Sequence, residues 1–109
     1  MSRTQAEFNP DFFRSLFGES REDWKGFLGV SIRAIEEGRD KLAAAVAAQD
    51  LKTISETRHS IGPSLTQWGV VTLEGDLRQL DADQLRQWPD LEAEFNVLLA
   101  ALRRLETEP

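Results

Sequence analysis

The chain has 109 residues, of which 40% are hydrophobic and 29% charged, with a net charge of −6 and no cysteine. This is the composition of one ordinary soluble domain, and the missing thiols exclude disulfides, thiolate catalysis and cysteine zinc sites. An acidic balance with pI near 4.8 leaves no electrostatic basis for binding nucleic acid or an anionic membrane. No apolar run reaches the ~18 residues of a membrane span, nothing reads as a signal peptide, and a cytoplasmic location is expected.

The apolar residues recur at helical rather than alternating spacing, with no repeats or low-complexity tracts, so an all-α fold is predicted. Residues 1–8 read as a frayed tail. Asn9 before Pro10 is an N-cap with proline at the first helical position, and the short helix it opens ends at Gly18. Its Phe12, Phe13, Leu16 and Phe17 make an oily face suited to a lid. Ser20-Arg21-Glu22-Asp23 resembles a capping box, with Asp23 as a shorter Glu, and opens a long helix to about Gln49. The seam of that helix is Trp24, Leu28, Ser31, Ile35, Gly38, Leu42 and Ala45. Gly29 and Gly38 cost ~1 kcal/mol each relative to Ala, which is tolerable where a partner helix packs closely.

Asp50 caps the next helix, with seam Leu51, Ile54, Arg58, Ile61, Leu65 and Trp68 and with Gly69 as its end. Val70, Leu73, Leu77 and Leu80 form a third seam to about Asp81. Asp83 to Trp88 reads as a short turn of helix or a connector, and Pro89 starts the last helix at its first turn. There Leu91, Phe95, Leu98, Leu102 and Leu105 make the fourth seam, and residues 106–109 are expected to fray. Four stripes joined by short links predict an antiparallel up-and-down four-helix bundle with a short N-terminal capping helix, one domain over residues 1–109. Trp24, Trp68 and Trp88 fit the core better than a ligand box. Asp76, Asp81, Asp83 and Asp90 are scattered over caps and solvated faces, with no metal-loop spacing.

His59 is the only histidine, so no multi-histidine metal site can form. Residues three and four apart share a helix face, which places it with Ser55, Glu56, Gly62, Pro63 and Thr66, off the core seam and exposed. From composition alone a lone histidine is a surface residue without a role. The run His59-Ser60-Ile61-Gly62-Pro63-Ser64-Leu65-Thr66-Gln67-Trp68-Gly69 argues otherwise. It resembles the signature of histidine-containing phosphotransfer (HPt) domains: histidine, any residue, Leu or Ile, Lys, Gly or Ala, four residues, a hydrophobic residue, Gly. His59, Ile61, Trp68 and Gly69 match. Arg58, Gly62 and Pro63 stand where the family usually has Ala, Lys and Gly. The likeness extends from Asp11 to about Arg104.

The resemblance implies a phosphocarrier rather than an enzyme. A neutral imidazole nitrogen of His59 attacks the acyl phosphate of a receiver-domain aspartate and later passes the phosphoryl group to another receiver. It also implies a response-regulator receiver or a hybrid sensor kinase as partner, a monomer, and no cofactor of its own, magnesium being expected on the partner receiver. Small residues one turn beyond the histidine leave room for the approach. In the family the lysine three residues after the histidine helps to hold the phosphate; Gly62 cannot. Arg58 lies about 100° around the helix from His59. It reads as a core-lining stem whose guanidinium pairs with Glu36, Glu37 or Asp40, or else as a replacement for that lysine. Glu56 reads as a solvated carboxylate, or as an acceptor that fixes the imidazole tautomer. Pro63 has no N–H for the carbonyl of His59, which predicts a kink just after the histidine. Two further readings stay open: a degenerate HPt-like bundle that binds a receiver or kinase without being phosphorylated, and a helical interaction module outside two-component signalling.

Overall fold

Some helix ends fall where the chain carries its own caps. The computed structural model describes residues 2–108, and every regular element among them is helical. These are α1 (Arg3–Glu7), α2 (Asp11–Phe17), α3 (Arg21–Ala48), α4 (Leu51–Gln67), α5 (Val71–Arg78) and α6 (Trp88–Thr107), with one 3-10 turn at Leu85–Gln87 before α6. The Asn9 side chain accepts the Asp11 N–H at 3.0 Å, and Gly18 ends α2 with φ 54°. Asp50 accepts both the Thr53 N–H, at 3.1 Å, and the Thr53 hydroxyl, at 2.7 Å. The expected capping box does not form: the Ser20 hydroxyl donates to Asp23 Oδ2 at 2.8 Å, and the Ser20 N–H donates to the Phe17 carbonyl at 2.9 Å. No described helix is long and apolar enough to cross a membrane.

The two expected frayed tails are corrected, apart from Met1 and Pro109, which lie outside the described residues. Residues 3–7 form α1, with Ser2 accepting the Gln5 N–H and Thr4 buried. The Glu7 carboxylate accepts the Thr72 N–H at 2.9 Å and the Thr72 hydroxyl at 2.5 Å, which pins α1 to the start of α5. Those bonds, the hydroxyl's foremost, hold the Glu7 carboxyl below its usual range. At the other end α6 continues to Thr107 because its last carbonyls are held. Lys25 Nζ donates to the carbonyls of Leu105, Glu106 and Glu108, and Arg14 meets the Glu108 carboxylate at 3.0 Å. Neither tie is visible in local pattern, since each joins residues more than sixty positions apart.

Packing follows the stripes. α3 lies against α4 and α6, α4 against α5, and α5 against α6, while α1 touches α5 and α6 and α2 touches α3. α3 runs opposite to both α6 and α4. Glu36 meets Arg103 at 2.7 Å while Arg39 meets Asn96 at 2.9 Å, and along α4 Ile61 faces Gly38 while Trp68 faces Trp24. A Cβ on Gly38 would stand 2.5 Å from Ile61 Cδ1, so this glycine is the seat into which the α4 side chain fits.

Three seam expectations change in detail. The face of α2 splits: Phe13 is buried and Phe17 half-buried, whereas Phe12 and Leu16 are 54% and 65% exposed, because only one edge of this short helix meets α3. Leu51, on the first turn of α4, is exposed, and Thr57 is buried instead. Ile32 and Leu99 widen the stripes of α3 and α6 beyond one residue per turn. α4 continues as helix through Pro63 to Gln67, so the missing N–H does not end it.

Gly69 has φ +85°, and a Cβ there would lie 2.7 Å from the backbone oxygen of Glu7. The chain between α1 and α2 crosses at this point, with the Asn9 N–H donating to the Trp68 carbonyl at 2.8 Å. Both the left-handed backbone and the crossing demand glycine. Gly69→Ala is expected to destabilise the protein by ~2–4 kcal/mol, the sum of backbone strain and a clash that only backbone movement relieves. Urea denaturation with an unchanged m-value would measure it.

Candidate functional site

α4 presents two faces by its own periodicity. Ile54, Thr57, Ile61, Leu65 and Trp68 point inward, and His59 stands on the outer face, exposed as expected. Beside it runs an open groove between α4 and α5, lined by Ser55, Arg58, His59, Gly62, Pro63, Thr66, Gln67, Glu74 and Arg78. Of the residues placed around the histidine by helical spacing, Ser55, Arg58, Gly62, Pro63 and Thr66 line this groove. Glu56 does not. It lies on the side of α4 that faces α3, in a different depression with Glu37 and Lys41, and its carboxylate is 4.0 Å from Lys52. No hydrogen bond joins it to the imidazole among the described residues.

Gly62 is buried rather than part of an open face. The Glu74 side chain of α5 covers it: a Cβ on Gly62 would meet Glu74 Oε1 at 3.5 Å, ordinary contact. Thr66 donates its hydroxyl back to the Gly62 carbonyl at 3.2 Å, so that polar side chain is used within its own helix. Pro63 is exposed at the groove floor beside His59.

Arg58 was expected to reach Glu36, Glu37 or Asp40 on α3. It turns the other way. Its Nη1 donates to the carbonyls of Leu77, Arg78 and Leu80, at 3.3, 2.9 and 2.9 Å. These carbonyls lie at and just beyond the C-terminal end of α5, where acceptors run short of backbone donors and the helix dipole favours a cation, although that of Leu77 also accepts the Leu80 N–H at 3.0 Å. Arg58 is thus the cap of a helix only eight residues long. Arg58→Ala is expected to cost ~1.5–3 kcal/mol, the worth of hydrogen bonds to a charged donor, and to loosen α5 first. Thermal melting together with hydrogen exchange at Leu77 to Leu80 would measure both effects.

Spacing along one helix did not identify Gln67, Glu74 and Arg78 as groove residues. Gln67 is eight positions from His59 on the same helix, at the edge of the face considered. Glu74 and Arg78 carry a signal of their own, an acidic residue four before a basic one on the polar side of the Leu73 and Leu77 stripe. Arg78 Nε and Nη2 grip Glu74 Oε1 and Oε2 at 2.6 and 2.7 Å. The hydrogen bond to Glu74, and then its charge, raise the Arg78 pKa further above its usual high value.

The groove therefore combines one exposed imidazole, two guanidinium groups and one half-buried carboxylate already paired with arginine. That set can present a nucleophilic nitrogen to an electrophile and offer positive charge to an anion beside it. Comparison with family models, curated proteins and solved structures returned no match to this chain.

Proposed function

We propose that this chain is a histidine phosphotransfer protein of a two-component phosphorelay. The scaffold in this reading is an antiparallel up-and-down four-helix bundle of α3, α4, α5 and α6, with α1 and α2 covering one end. The closed circuit of helix neighbours and the direction of α3, opposite to both α4 and α6, support that arrangement. The observation that carries the function is His59: one histidine in the chain, exposed in mid-helix, heading an HPt-like run whose other matching residues, Ile61, Trp68 and Gly69, are packing or turn positions.

In the reaction, the lone pair of an imidazole nitrogen of His59 attacks the phosphorus of a receiver's aspartyl phosphate. An N–P bond forms, the P–O bond breaks, and its electron pair returns to the aspartate carboxylate. Attack by a second receiver's carboxylate reverses the bookkeeping and restores the imidazole. Magnesium belongs to the partner receiver in this scheme. The carrier needs exposure, clearance and some positive charge, since positioning and charge neutralisation dominate phosphoryl transfer. Pro63, exposed in the same groove, keeps the approach to His59 low.

A second reading has a specific observation in its favour. The place of the family lysine is a buried glycine under a carboxylate, which fits a degenerate bundle that docks a receiver or kinase without taking the phosphoryl group. Incubation with a panel of phosphorylated receivers separates the two. The phosphotransfer reading expects one acid-labile, alkali-stable label per chain. Tight binding with no label would transfer support to the degenerate bundle, and neither binding nor label would leave a helical interaction module.

A further inference from the structure

We propose that Arg78 holds the phosphoryl group on His59 and that Glu74 tethers it there, an inference that rests on the phosphotransfer reading. The two other places from which charge could come are more constrained. Residue 62 is glycine, and the space above it is filled by the Glu74 side chain. Arg58 lines the groove and keeps Nε and Nη2 without hydrogen bonds among the described residues, but Nη1 anchors its guanidinium on three carbonyls at the end of α5, and the side chain is only half-exposed.

Arg78 is differently disposed. Its side chain is 71% exposed while that of Glu74 is only 14% exposed, so the pair has a seated carboxylate and an outward guanidinium. Nε and Nη2 are held by Glu74, and Nη1 makes no hydrogen bond among the described residues. The guanidinium is thereby fixed by one edge on the wall of the groove that contains His59, with a donor left over. Alone, Glu74 would repel a phosphoryl group carrying about two negative charges. Paired, it is neutralised and serves to keep the arginine from swinging into solvent. A planar guanidinium meets phosphoryl oxygens with directed, charge-assisted bonds, and docking of a partner would strengthen them by displacing water. The positive charge that the family places on the helix of the histidine would here come from the next helix.

The test uses the full chain and phosphoramidate, a small donor that needs no partner. An imidazole nitrogen attacks phosphorus, the P–N bond breaks, and ammonia leaves with its electron pair. The rate of His59 labelling is followed by phosphorus NMR. Arg78→Gln is expected to label about ten-fold more slowly with an unchanged melting temperature, the equivalent of ~1.4 kcal/mol in the barrier. Arg78→Lys should recover much of the rate, since an ammonium keeps the charge. Arg86→Gln, which removes the same charge from an exposed site outside the groove, should label like the native chain. Native-like labelling of Arg78→Gln, or an equal loss in Arg86→Gln, would overturn the role of Arg78 while leaving phosphotransfer at His59 intact. A native chain labelled neither by phosphoramidate nor by any phosphorylated receiver would overturn both.

Discussion

His59→Gln is expected to remove all phosphoryl labelling while leaving the fold untouched. No other histidine can take over, and glutamine offers no nucleophilic nitrogen. The side chain is exposed and makes no hydrogen bond among the described residues, so the change in stability should stay within ~0.5 kcal/mol. Parallel measurement of labelling from a phosphorylated receiver and of urea denaturation gives the two quantities. Label that persists in the variant would place the phosphoryl group elsewhere and end the assignment. A large loss of stability would mean that the imidazole has a structural partner, against its position on the outer face of α4.

The largest effect on stability is expected from Trp68→Ala. Trp68 is 1% exposed, and its ring lies 4.5 Å from that of Phe13, 5.9 Å from those of Phe8 and Phe27, and 6.3 Å from that of Trp24. It is where α4 ends and where α2, α3 and the segment after α1 converge. Truncation would remove a large buried surface and leave a cavity whose rigid aromatic walls cannot close, at ~3–5 kcal/mol. Against a typical total of ~5–15 kcal/mol this is a substantial share. Denaturant unfolding followed by far-ultraviolet circular dichroism would measure it. A loss under about 1 kcal/mol would mean that the aromatic cluster repacks freely, contrary to the close packing expected of a protein interior.

These substitutions also divide the histidine motif by cause. Ile61 fits the seat left by Gly38, Trp68 fills the aromatic cluster, and Gly69 turns the chain under the Glu7 carbonyl. A helix of this bundle would need such residues whatever it did. The part of the motif that packing does not require is His59 itself, and the chemical assignment depends on that residue.

Local pattern was enough for every α-helix except α1, whose residues had read as a frayed tail. Asp50, Asn9, Gly18 and Gly69 cap or end their elements with their own atoms, and a period of 3.6 residues decides which side of each helix is apolar. The exposure of His59 follows from the same arithmetic, since it lies opposite Ile54, Ile61 and Leu65. What lies across from each helix was not contained in that arithmetic. Arg58 has acidic residues on α3 to one side and the carbonyls at the end of α5 to the other, and only the packed structure shows that it caps α5. The burial of Gly62, the removal of Glu56 to another depression, and the arrival of Glu74 and Arg78 beside His59 were decided in the same way. Helical spacing specifies the face a residue occupies, whereas the neighbour of that face depends on how two helices align along and around each other. That alignment is set by contacts between residues far apart in the chain, such as Ile61 in the seat of Gly38 and Glu7 on Thr72.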